Sequence, residues 1–108
     1  MTVISVAFIA TQAQGYPCVF ETECFEDESC ISADFRVEVD IADQAIMTEF
    51  GDLVIVAVKE TGRLTTMFAT GEGSEYMLSL TPRGARMTSH ANDGPQVISY
   101  LGRCEGAF

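Results

Sequence analysis

Cys18, Cys24 and Cys30 stand at equal six-residue intervals, and Cys104 follows 74 positions after Cys30. Four thiols could hold a metal, run redox chemistry or pair as disulfides. Structural zinc sites take sulfurs from close pairs, about two to four residues apart, so that one turn presents both. Here five residues separate each neighbour, and the Cys-x-x-Cys spacing of thiol redox motifs is absent. Disulfides are the better reading. Four cysteines allow three pairings. The first choice is Cys24–Cys30, closing the polar loop 25–29, with Cys18–Cys104 joining the first and last strands. The alternative is Cys18–Cys30 with Cys24–Cys104. Cys18 and Cys24 have equal parity, which puts them on one face of a strand but too far apart to bond to each other.

Other reactive side chains converge less. His90 is the one histidine, on a polar stretch with no motif to orient it as a base. No Gly-x-Ser-x-Gly elbow, phosphate-binding glycine loop or histidine cluster occurs. The run Glu26-Asp27-Glu28 lacks the alternating ligands and turn glycine of a calcium loop. Sixteen acids make some carboxylate pairing inevitable, so no glycosidase dyad is read from them. The five methionines read as filler, not as metal ligands. The expectation is a non-enzyme without metal or cofactor. One stretch could bind a partner. Arg83-Gly84-Ala85-Arg86 sets two cations on a turn of an acidic chain, and the planar guanidinium fork suits a carboxylate.

The 108 residues carry a net charge of -10, all of it in residues 1–52. Such a surface repels phosphate backbones and anionic bilayers, and leaves a basic protein as a conceivable partner. One domain is expected, small enough to gain from covalent staples. Val3–Ala10 is apolar, too short to span a bilayer, and followed by small residues. Residues 1–13 therefore read as an export signal cut after Ala13, with the domain over 14–108. Export to the periplasm or the exterior agrees with the disulfides.

The elements that would position these residues are strands. Phe35–Ile41 alternates, with Phe35, Val37, Val39 and Ile41 on one face and Arg36, Glu38 and Asp40 on the other. Ala45–Phe50 follows with Ile46 and Phe50 inward, then a turn at Gly51-Asp52. Leu53–Val58 is apolar on both faces and predicts a strand covered on both sides or packed across a barrel. Arg63–Thr70 sets Leu64, Thr66 and Phe68 on one face, and Glu75–Leu80 sets Tyr76, Leu78 and Leu80. Thr81-Pro82-Arg83-Gly84 fits a β-turn. Ala85–His90 reads as a polar strand near an edge, and Gln96–Leu101 as the last strand. With 18–25 this gives seven to eight strands in an all-β antiparallel meander, a small barrel or sandwich. Its interior would hold Phe20, Val37, Ile55, Phe68 and Leu78, leaving no large cavity. Val54, Val56 and Met67 are expected to face outward, as a partner surface or a second layer.

The segments Phe20–Cys30 and Ile98–Glu105 resemble a family of small, uncharacterised secreted or periplasmic bacterial proteins with disulfides. That resemblance implies export and disulfides, and no activity. Leu80–Met87 is similar, over its Gly-x-Arg part, to the inserting loop of periplasmic C-type lysozyme inhibitors, which are small disulfide-bearing β-barrels. Met87 stands where that loop has Tyr, and the chain has no Trp. The expected function is therefore a non-catalytic exported domain for protein interaction or envelope structure. The alternatives are a lysozyme-type hydrolase inhibitor acting through Arg83 and Arg86, and a small-molecule binder, which would need a deep pocket.

Overall fold

The computed structural model describes residues 15–94 and 96–108, so the expected export signal at 1–13 lies outside the described residues. The strands are β1 (Gly15–Phe25), β2 (Ile31–Asp40), β3 (Ala45–Thr48), β4 (Gly51–Thr61), β5 (Leu64–Gly71), β6 (Ser74–Thr81), β7 (Gly84–Ala91) and β8 (Val97–Cys104). Each pairs antiparallel with the next, and β8 returns to β1, giving a closed eight-stranded barrel. Closure decides between barrel and sandwich, and it removes the edge position expected for β7, which lies between β6 and β8. No helix among the described residues is long and apolar enough to cross a membrane.

The alternation of β2 is as read: Phe35, Val37 and Val39 are buried and Arg36 and Glu38 exposed. Ile41 falls just beyond the strand, half-buried in the turn. The interior is packed with side chains, among them Phe20, Val39, Ile46, Leu53, Met67, Leu78, Leu80 and Met87, all essentially inaccessible. At this strand number a barrel is just wide enough to be filled this way. Phe20, Phe35 and Tyr100 form an aromatic cluster, with the Phe35 and Tyr100 rings 4.8 Å apart.

Three further expectations need correction. On β5 the inward residues are Met67 and Ala69, while Phe68 faces out at 41% exposure. Pairing fixes this phase: Met67 shares an inner row with Leu78, Met87 and Tyr100, and Phe68 an outer row with Ala57, Met77 and Thr88. Phe50 is exposed in the β3–β4 turn, because β3 ends at Thr48 and Gly51 already begins β4. The Thr48 hydroxyl accepts from the Phe50 and Gly51 amides and donates to the Gly51 carbonyl, closing that turn. Leu53–Val58 packs across the barrel, one of its two expected forms: Leu53 and Ile55 are buried, and Val54 and Val56 are exposed on the outer wall, as expected. Finally, Cys18 and Cys24 do not share a face. The register of β1 shifts between Phe20 and Thr22, so Cys18 points in while Cys24 joins the outer row of Ser99 and Thr88.

Candidate functional site

Both disulfides form in the first-choice pairing. Cys18–Cys104 joins β1 to β8 across a separation of 86 residues, and Cys24–Cys30 clasps the β1–β2 turn across six. No cysteine is free. Among the described residues no three His, Cys, Asp or Glu side chains are grouped to hold a metal ion. His90 is exposed on the outer wall of β7, beside Glu75 in the register of β6.

Two interior phenols are perturbed. Burial, and then the Glu60 carboxylate, push Tyr16 up to about 12. Burial does the same to Tyr100, helped by Glu23 of the paired strand, and Tyr100 also rises to about 12. Both rings stay neutral at physiological pH. They pack the two ends of the interior and present no charge to a reactant.

The outer wall carries two grooves of opposite charge. The first, about 500 Å³, lies over β1, β2, β3 and the end of β8. Five carboxylates (Glu21, Asp34, Glu38, Glu49 and Glu105) line it against two guanidiniums. Both guanidiniums are engaged. Arg36 Nε donates to Asp34 at 3.0 Å. Arg103 donates to Glu21 and has Glu105 at 3.9 Å. The Glu21 bond holds Arg103 protonated above its ordinary range.

The second groove, about 440 Å³, runs over β5 to β8. No carboxylate lines it; Arg83, Arg86, Ser79, Thr81, Leu64 and Leu101 do. Its position follows from local sequence. Thr81-Pro82-Arg83-Gly84 makes the tight β6–β7 turn, with the Arg83 amide donating to the Thr81 hydroxyl at 3.1 Å. Strand alternation from Gly84 then places Arg86 on the outer wall, between the buried Ala85 and Met87. Arg83 and Arg86 are both exposed, and neither has an ion-pair partner among the described residues.

The structure brings Arg83 and Arg86 to one groove, with Arg83 in the turn; Arg86 lies on β7 and not on the turn, where the sequence had both. Sequence reading missed the third cation of that wall. Lys59 joins the outer row Lys59, Thr66, Ser79, Arg86, Leu101 through three strand pairings. Only the registers reveal this, although the single-sided charge of Lys59 against Val58 was a legible hint. Met67, expected outside, is fully buried and leaves the outward apolar set, which includes Met47, Val54, Val56, Leu64, Phe68 and Met77. Comparison with known proteins gives no match: no family model, no curated protein and no solved structure is similar to this chain.

Proposed function

We propose that the chain is an exported, non-catalytic domain that works by contact through its outer wall. The filled interior carries this reading. A barrel whose buried side chains form one packed cluster leaves little room for a ligand inside, so recognition falls to the exterior. Two staples in so small a domain suit an oxidising compartment. Intact mass of the protein from its native host, alkylated under denaturing conditions with and without reductant, tests export. The expected species begins at Gln14 and carries no free thiol. A full-length species with four free thiols would sink export. An apolar environment-sensitive dye tests the wall against the interior: emission should stay flat with the folded protein. Saturable bright emission would favour a small-molecule carrier.

A second reading, inhibition of a lysozyme-type hydrolase, draws on Arg83 and Arg86, at and beside an exposed turn and without an ion-pair partner among the described residues. A guanidinium suits the carboxylates of such a cleft. Arg86→Ala should weaken the complex; absence of any complex with a lysozyme at micromolar concentration ends this reading.

A further inference from the structure

Four of the six basic residues of this acidic chain, Lys59, Arg63, Arg83 and Arg86, lie in the β4–β5 and β6–β7 hairpins. In a meander these two turns emerge at the same end of the barrel. Arg63 is occupied, its guanidinium carbon 6.0 Å from the centre of the Phe108 ring. The other three serve one wall. Arg86 and Lys59 stand in the same outer row, separated by the hydroxyls of Thr66 and Ser79, which are 3.3 Å apart. At roughly 4.8 Å between strands, the row sets these two cations about 14 Å apart. Gly84 opens the floor between them and Arg83, and Leu64, 40% exposed, with Leu101 gives the groove apolar sides.

In a protein of net charge -10, guanidiniums without an acid among the described residues are an unused binding potential. By contrast, the arginines of the acidic groove are already paired. We infer that the β5–β8 groove binds an extended, carboxylate-bearing polypeptide segment, with Arg83 and Arg86 holding its acidic side chains and Leu64 and Leu101 packing its apolar ones. Lys59 and Arg86 stand three strand spacings apart in one row and Arg83 sits off that row in the β6–β7 turn, a spread that fits spaced carboxylates better than one phosphate. The net negative charge opposes every anionic occupant, and most of all the densely charged ones, nucleic acid and anionic membrane; a segment with a few spaced carboxylates meets the least of that repulsion. The hydroxyls of Thr66, Ser79 and Thr81 can donate to the same oxygens. This inference rests on the proposal that the outer wall is the working surface.

The test uses the full, oxidised chain and a fluorescent, end-blocked peptide of alternating Glu and Leu, read by anisotropy. The expected result is saturable binding that the Gln-for-Glu peptide lacks. Arg83→Gln with Arg86→Gln should weaken it about tenfold or more, since each charge-assisted hydrogen bond lost costs at least that order. Neither arginine has an ion-pair partner among the described residues, so the variant should keep the wild-type thermal midpoint. Arg36→Gln, in the acidic groove, should change affinity less than about twofold, as expected of a surface charge outside the contact. Equal binding of the Glu and Gln peptides, no saturable binding, or an unaffected double variant would overturn the inference. Competition by inorganic phosphate as effective as by the peptide would also overturn it, leaving a plain anion site. Failure here leaves the mass and dye results standing, so the two proposals fail separately.

Discussion

At the β1–β8 seam, seven register pairs run from Cys18↔Cys104 to Phe25↔Ile98, and a covalent bond locks one end. Two strands on from β1, β3 joins β2 to β4 through only four residues, Ala45–Thr48, and no covalent bond. The two closures solve different entropic problems. Residues 37–54 hold all the strands of the β3 wall in one local meander, and short turns bring them together at small cost. The seam must gather the two ends of the domain, 86 residues apart, before any of its hydrogen bonds form. The staple stands where loop closure is most expensive. The seam also holds the most confined of the described glycines: a Cβ on Gly102 would lie 1.9 Å from the Val19 carbonyl oxygen. Gly102 is what lets β8 approach β1 there.

Cutting the seam should therefore have the largest effect. Cys18→Ala with Cys104→Ala should cost about 4–5 kcal/mol in the chain-entropy treatment of so long a loop. Urea denaturation against the oxidised wild type measures it. A loss below about 1 kcal/mol would mean that the seven pairs hold unaided and the comparison fails. On the β3 wall, stability must come from packing. Ile46 is fully buried, and Ile46→Ala should cost about 3 kcal/mol for lost transfer and the cavity left behind. If the loss is near zero, β3 is not a structural closure at all.

These contrasts were partly legible in the sequence. β2 was clear because Arg36, Glu38 and Asp40 leave only one face for the core. β5 was not, because Leu64, Thr66 and Phe68 compete with Thr65, Met67 and Ala69, and both sets are acceptable. The choice is made by Leu78, Met87 and Tyr100 on other strands. The same holds for β1, where the register shift after Phe20 reverses the face of Cys24 with no glycine or proline to mark it. The β3–β4 boundary hid in the Thr48 hydroxyl, which caps a turn two residues earlier than Gly51-Asp52 implied. Of the cationic groove, Arg83 and Arg86 were readable because Pro82 and Gly84 fix the turn. Lys59 became a neighbour only through non-local pairing.

The second disulfide sharpens the comparison by keeping the chemistry and shortening the loop. Cys24–Cys30 closes six residues of a hairpin that the chain already forms locally. The same treatment gives about 2 kcal/mol for its removal by Cys24→Ala with Cys30→Ala, half the effect at the seam or less. Urea denaturation of both pairs of variants under one condition reads the ratio directly. Equal losses would show that loop length does not govern these staples, and the entropic account of the seam would go with it.

The smallest effect per residue is expected from proton release by the two buried phenols, one on each strand of the seam. Tyr16 of β1 faces Glu60 of β4, and Tyr100 of β8 faces Glu23 of β1. Each has an ordinary value of 10.0 and is raised in the fold to about 12. Between these values the unfolded chain releases a proton that the native state keeps, so stability falls as pH rises. The contribution is whole below pH 10 and lost as pH passes about 12. Urea midpoints at about pH 9 and about pH 11 should therefore differ, the second being lower. Tyr100→Phe and Tyr16→Phe should each flatten that decline, because Phe fills the site without an ionisable group. If Tyr100→Phe flattens it and Tyr16→Phe does not, the alkaline weakness belongs to the β1–β8 contact, where Glu23 already places one negative charge. The reverse would assign it to the β1–β4 approach beneath the short strand. A decline unchanged in both variants would show that neither phenol is held neutral by the barrel.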